Sequence, residues 1–210
     1  MHTKLFKFGN SIQRIKTAIH DLKHGKGIII LDSKNRENEG DLVFPAETMT
    51  VNQMALSIRY TSGIICLCIT EKTRKRLNIP MMVKNNTSQY KTNFTVSIEA
   101  AHGVTTGVSA IDRIKTIKTA ISKKSKPHDL NKPGHIFPLR AHINGIKSRQ
   151  GHTESSLEII KLAGFKKYSV IGELTNKNGT MSRIKDSIKF AKTHNMTIIS
   201  IKDILNYLNQ

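Results

Sequence analysis

Apolar positions along the chain alternate between two periods. Ile12, Ile15, Ala18, Ile19 and Leu22 recur at helical spacing, and Gly25 and Gly27 then stop the helix before the β-branched run Ile28–Leu31. A four-residue apolar run between stop signals predicts a buried strand, whose end delivers the polar segment Asp32–Asp41 into a loop. A helix follows over Val51–Arg59, with strands over Ile64–Ile69 and Phe94–Ile98 and a loop at Asn85–Ser88 between them. Ile111, Ile114, Ile117 and Ile121 stripe a helix that starts after the Gly- and Thr-rich stretch Gly103–Ser109 and ends before Pro127. Lys126–Arg140, with its prolines and histidines, reads as a loop.

From Gly151 onward short strands and helices alternate. Thr153 is placed as N-cap of a helix over Glu154–Ala163 that Gly164 ends, with Glu154 favourable in the first turn. Tyr168–Ile171 predicts a strand ending at Glu173; Ile184, Ile188 and Ala191 a helix; Thr197–Ile199 a strand; and Ile201, Ile204 and Leu208 a closing helix. No internal repeat or linker-like stretch interrupts residues 1–210, so the expectation is a single domain of α+β class, a mixed sheet with packed helices.

Charge changes this picture less than its size suggests. Lys+Arg 34 against Asp+Glu 15 gives +19 over 210 residues, which invites a nucleic-acid reading. The lysines are scattered, however, and the dense runs Glu71–Arg76 and Lys123–Lys126 lack the interleaved aromatics of a stacking platform, so they read as solvated helix ends. A basic protein that binds RNA or another polyanion stays as the competing class. No apolar run is long enough for a membrane span, and Met1–Asn10, with Lys4 and Lys7, lacks the apolar core of a secretory leader. Cys66 and Cys68, two apart on one strand face, have poor disulfide geometry, and the expectation is a reduced, cytoplasmic protein.

The carboxylates are more informative than the lysines. Asp32, Glu37, Glu39 and Asp41 put four of the 15 within ten residues, where even spacing would put fewer than one. Hard oxygen ligands after a strand suit a divalent cation such as magnesium, and Arg36 among them can pair with one or hold a substrate anion; a solvated acidic turn gives the same pattern. Arg149-Gln150-Gly151-His152-Thr153-Glu154 lies at a helix start, where free N–H groups and the helix dipole favour a phosphate. Arg149 can bind it bidentately, Thr153 can donate a hydroxyl, and His152 can ligate a metal or move a proton. Gly103–Ser109 could cradle an anion; His135 on a Pro-Gly turn and Glu173 at a strand end complete the candidates.

Together these segments resemble the 3,4-dihydroxy-2-butanone 4-phosphate synthases. Arg36-Glu37-Asn38-Glu39-Gly40-Asp41, followed by Pro45-Ala46-Glu47, is similar to that family's acidic loop. Gly63–Cys68, Phe94–Asp112, Pro133–Arg140 and Gly151–Glu154 match further blocks in order, from about Ile12 to Leu205. The resemblance implies a homodimer with active sites near the subunit interface. It also implies a magnesium-dependent conversion of D-ribulose 5-phosphate to the butanone phosphate and formate in riboflavin biosynthesis, with manganese able to substitute. Carried over by residue, Glu37 and His152 hold the metal, and Arg36, Glu37, Asp41, Arg149, Gln150, Gly151, His152, Thr153, Glu173 and Thr105 bind substrate. His135, Glu173, Asp41 and Glu39 are the catalytic candidates, and Asp41, Glu39 and Glu173 all remain candidates for the base at C3. Ser33 and Asn35 stand where the family pattern leads us to expect aspartates, so a catalytically weakened homologue is a third reading.

Overall fold

A strand in which every side chain is buried needs cover on both faces, and this requirement sets the plan of the molecule. In the computed structural model, which describes residues 8–210, Ile28, Ile29, Ile30 and Leu31 are all fully buried as β1 (Ile28–Leu31). The reading of Lys4 and Lys7 falls outside these residues. Around β1 forms a seven-stranded sheet in the order β4-β5-β3-β6-β2-β1-β7. The other strands are β2 (Gly40–Pro45), β3 (Cys66–Ile69), β4 (Ile98–Ala100), β5 (Leu130–Arg140), β6 (Ser169–Glu173) and β7 (Thr197–Ser200). The sheet is mixed: β1 runs parallel to β7 and β3 to β5, whereas β1–β2, β2–β6, β3–β6 and β4–β5 are antiparallel.

Among the described residues seven α-helices cover it: α1 (Ser11–Lys23), α2 (Val51–Tyr60), α3 (Glu71–Arg76), α4 (Ala110–Ile121), α5 (His152–Leu162), α6 (Ile184–Thr193) and α7 (Ile201–Leu208). Strand alternation splits β1 between two cores. Ile29 and Leu31 pack with Met54 of α2, Ile117 of α4 and Ala191 of α6. Ile28 and Ile30 pack with Ile15 and Leu22 of α1, Ile159 of α5 and Ile204 of α7. The predicted apolar stripes of α1, α6 and α7 thus form as expected, whereas α4 buries Ile117 and Ile121 but leaves Ile111, the first residue of its predicted stripe, exposed. Asn10 and Thr50 start α1 and α2 with reciprocal capping boxes. The charged run at Glu71 is the short helix α3, capped by Thr70 and braced by an Arg74–Glu71 ion pair of 2.8 Å.

Five expectations need correction. Most of Lys126–Arg140 is not loop but the eleven-residue strand β5. Its prolines fit because Phe137 donates to Ile65, just ahead of β3, and Ala141 to Ile69 at its end, while Arg140 donates to Asn93, so the N–H that Pro138 lacks falls on the irregular Phe94 side. Lys132–His135 bulge out of the β4 pairing, since Ile98 faces Ile136 but Glu99 faces Asn131, and Pro133 sits in that bulge. Phe94–Ile98 forms only isolated bridges before the ladder at Ile98–Ala100, and Ile64 and Ile65 precede β3 rather than joining it. Gly40 and Asp41 belong to β2, not to the acidic loop, because Asp41 pairs with both Ile30 and Glu173 in the sheet. Gly151, not Thr153, is the N-cap of α5, whose first residues His152 and Thr153 turn inward and are buried.

Gly134 tests the bulge. A Cβ there would stand 2.2 Å from the Ile98 carbonyl and 2.4 Å from the Glu99 nitrogen, backbone atoms that cannot swing away. Gly134→Ala is expected to cost about 1–3 kcal/mol by overpacking, read from chemical denaturation. An unchanged midpoint would show that β4 does not press on the bulge.

Candidate active site

Asp32 leaves the buried end of β1 with its side chain fully enclosed, and its two oxygens shape the loop that follows. Oδ2 accepts the Glu37 N–H at 3.0 Å and a 3.0 Å bond from Arg36 Nη1, and Oδ1 accepts the Glu39 N–H at 2.9 Å. Asn38, between the two glutamates, takes a left-handed φ of 56°, a conformation asparagine tolerates better than most residues. This turn sends neighbouring carboxylates to different partners. Glu37 faces His152, and Glu39 reaches Arg183 at 3.4 Å.

His152 opens α5 and points through the sheet end toward the carboxylates. Its Nε2 lies 3.1 Å from the Ile30 carbonyl, which can only accept, so that nitrogen carries a proton. Nδ1 is left facing Glu37 Oε2 at 3.5 Å and Asp41 Oδ1 at 3.4 Å. Asp41 shares a sheet face with Val43, the α5 face, and its Oδ1 is buried with no hydrogen-bond partner. Burial lowers the His152 imidazole, but Asp41 and the hydrogen bond to Glu37 outweigh it and push the group up to about 9. Burial, with Glu173 and Glu37 adding to it against His152, raises Asp41 to about 7. Burial also works against ionised Glu37, yet His152 and Arg36 hold its carboxyl below the ordinary range. Glu39 is raised, by burial first and by Glu173 next.

Ligand atoms of Asp32, Glu37 and His152 lie within 4.8 Å of one another. Two carboxylates, the second imidazole nitrogen of His152 once it has shed its proton, and the Asp41 oxygen that lacks a hydrogen-bond partner make a donor set that fits a hard divalent cation. The Nε2–carbonyl bond is the outer contact that fixes a metal-binding imidazole in orientation and tautomer.

Across the cavity stands Arg149. Nη1 donates to Glu154 at 2.7 Å, Nη2 to Thr92 Oγ1 at 2.8 Å, and Nε and Nη2 together to the Tyr90 carbonyl at 3.4 and 3.2 Å. Tyr90 also stacks its ring under the Arg36 guanidinium at 4.8 Å and donates its hydroxyl to the Arg36 carbonyl at 2.6 Å. One aromatic residue therefore touches both cations of the site.

Arg36, Glu37, Asp41, Arg149, His152, Thr153 and Glu173 all line this one cavity, of about 70 Å³, with Ile64, Cys66, Thr92 and Phe94 among the rest of its wall. Glu173 enters because it is the register partner of Asp41. Other sequence candidates lie elsewhere. His135 is in the β5 bulge, its Nδ1 2.6 Å from Glu99, and Thr105 is held by Asp112 through its N–H at 3.1 Å and its hydroxyl at 2.7 Å; neither lines the cavity of its own chain. Gln150 joins the exposed Ser33 and Asn35 around a separate space of about 630 Å³. Gly151 acts through backbone: a Cβ there would meet Arg149 at 2.4 Å. Burial pushes the Cys66 thiol well up and Cys68 up to about 12, and both thiols are free. Tyr90 and Thr92 were not singled out from sequence, Asp32 was read as part of the acidic cluster rather than as its loop's organiser, and Glu154 as a first-turn charge rather than as the partner of Arg149. Only the position of Asp32 ahead of Arg36 and Glu37 carried a signal; Tyr90 and Thr92 meet Arg149 across almost 60 residues.

Among the described residues no helix is long and apolar enough to cross a membrane. The family profile described as 3,4-dihydroxy-2-butanone 4-phosphate synthase matches residues 16–207. A 3,4-dihydroxy-2-butanone 4-phosphate synthase of Buchnera aphidicola subsp. Schizaphis graminum is 63% identical over 98% of this chain and 97% of its own. One from Cronobacter sakazakii is 57% identical over 98% and 94%. A crystal structure of such a synthase in complex with two magnesium ions superposes with a TM-score of 0.88 at 34% identity, covering 92% of this chain and 95% of that one. The Candida albicans synthase gives 0.85 at 39% identity, covering 93% and 97%. With a matching profile, full-length relatives and a shared fold, the chain belongs to the 3,4-dihydroxy-2-butanone 4-phosphate synthase family.

Proposed function

We propose that this chain is a lyase of riboflavin biosynthesis that converts D-ribulose 5-phosphate into L-3,4-dihydroxy-2-butanone 4-phosphate and formate. The observation that carries the reading is one cavity holding Glu37, Asp41 and His152 on one side and Arg149 on the other. Glu37 and His152 Nδ1 hold magnesium, or manganese in its place. When bound, the ion supplies Lewis-acid stabilisation of negative charge on neighbouring substrate oxygens.

The residues divide the remaining work. Arg149 binds the phosphate and, with Arg36 and the Thr153 hydroxyl, restrains the sugar. Asp41 is the strongest candidate for the C3 proton. Its buried, unpartnered Oδ1 and its pKa of about 7 suit a group that takes and returns a proton near neutral pH. Proton removal gives the enediolate; loss of the C1 hydroxyl, a skeletal shift, hydration and release of C4 as formate follow. Glu173, the register partner of Asp41 in the same cavity, serves the later proton transfers; Glu39 is not among the residues that line the cavity and reaches Arg183 instead. The departures at Ser33 and Asn35 fall outside the cavity, which supports retained turnover over the weakened reading.

The active form in this reading is a homodimer, and a single folded unit makes up each subunit. Ile64, Val108 and Ile111 are exposed at 46%, 48% and 65%, and Ile64 also lines the cavity. Arg113 gathers the same surface, bonding Val108 and His135 carbonyls at 2.9 and 3.1 Å. A second copy covering this patch brings its own His135 and Thr105 to the neighbouring cavity. We place the enzyme in the reducing cytoplasm, consistent with two buried free thiols.

Formate release from ribulose 5-phosphate tests the assignment directly: it is expected to stop with EDTA, return with magnesium, and fall about 100-fold or more in Glu37→Gln. Full activity in that variant would remove Glu37 from the metal. Because His152 is raised to about 9, Nδ1 is protonated at neutral pH and a cation must displace that proton. Apparent magnesium affinity is expected to drop about tenfold for each unit that pH falls between 8 and 7, measured by calorimetric titration; a flat profile would show that Nδ1 carries no proton for the cation to displace in this range. Mixing His135→Ala with Glu37→Gln subunits is expected to restore about a quarter of wild-type activity, since half the dimers regain one intact site. No recovery would put His135 in its own chain's site.

A further inference from the structure

Arg149 does not stand alone behind the cavity. Glu154 sits in the first turn of α5 with no side-chain exposure, and a carboxylate so enclosed must be paired. Both of its oxygens are used: Oε2 accepts Arg149 Nη1 at 2.7 Å, and Oε1 accepts the His142 N–H at 2.9 Å. The pair lies against Gly151, whose missing Cβ would stand 2.4 Å from Arg149 Nη1 and 3.2 Å from Glu154 Oε2. On its far side Glu154 lines a separate space of about 750 Å³ with His142 and Ile146, so it forms part of the wall behind Arg149.

A guanidinium has two usable edges, and the contacts divide them. Glu154 takes Nη1. The Nε and Nη2 donors both reach the Tyr90 carbonyl, along the edge that two oxygens of a phosphate fit, and Nη2 also donates to Thr92 Oγ1 at 2.8 Å. We infer that Glu154 is a positioning residue for the reaction: it pins Nη1 of Arg149 so that the Nε–Nη2 edge is presented to the substrate phosphate. The inference rests on the reading of Arg149 as the phosphate-binding cation. Without the anchor only Thr92 and the Tyr90 carbonyl hold the guanidinium, both on the edge the phosphate takes, and the phosphate must restrain the side chain on binding.

Glu154→Gln keeps the shape and an acceptor for His142 but removes the charge. It is expected to raise KM for ribulose 5-phosphate about tenfold and to weaken competitive inhibition by inorganic phosphate by the same factor, with kcat within about threefold. In an Arg149→Ala background the same change is expected to add nothing, because the group it positions is gone. A role in folding alone would lower the melting temperature without this KM-specific, phosphate-linked change. If Arg149→Ala raises KM and weakens phosphate inhibition while Glu154→Gln changes neither, the positioning role is overturned and the phosphate reading stands. If Arg149→Ala itself changes neither, the phosphate reading fails first. Should Glu154→Gln not fold, Glu154→Asp keeps the charge but withdraws it by one methylene; raised KM with retained kcat supports the role, and wild-type KM and phosphate inhibition overturn it.

Discussion

Helices on both faces of the sheet leave no aqueous side for the charge that chemistry requires. Any ionised group must stand at a strand end and bring its own partners, because an unpaired buried charge costs several kcal/mol. The end of β1 meets this condition with Asp32, whose carboxylate is enclosed yet receives two backbone N–H groups and the Arg36 guanidinium. The site depends on that arrangement. The loop closes on Asp32, Glu37 is held toward His152, and α5 can bring an imidazole against the sheet only because the Ile30 carbonyl is there to take its Nε2 proton.

Packing several carboxylates together then separates their behaviour without any change of residue type. Glu37, beside His152 and Arg36, is held ionised, whereas Asp41, further inside and facing other carboxylates, is raised to about 7. One carboxylate is suited to keep a cation, and the other to exchange a proton. Environments that push like groups apart mark acid–base division of labour in enzymes generally.

Much of this was legible in the sequence where a local pattern sufficed. The fully buried β1, the apolar stripe of α1 and the acidic cluster after β1 follow from spacing alone. The ordered motifs named seven residues that do converge on one cavity. What stayed hidden depends on contacts distant in sequence or on exceptions to local rules. The prolines of β5 argued for a loop, and only the neighbouring strands decide that their missing donors fall where no regular ladder needs them. Thr153 has the chemistry of a cap, yet Gly151 starts the helix and Thr153 faces the interior. Glu154 looked like a favourable charge at a helix start; its partners, Arg149 and His142, are visible only once the chain has folded. The tie between Tyr90 and both arginines left no sequence signal at all.

The fork of Arg149, closed on the Tyr90 carbonyl, makes ligand entry an exchange rather than a filling of empty space. A neutral hydroxyl or carbonyl offers the guanidinium little that the peptide oxygen does not already supply, so an unphosphorylated sugar gains almost nothing by displacing it. On the proposed reading of Arg149 as the phosphate-binding cation, a phosphate dianion, which offers a charge-assisted, two-oxygen bond, wins the competition. In that reading the protein's own backbone acts as a weak competing ligand, and discrimination by charge precedes any contact of the substrate's carbons with the carboxylates.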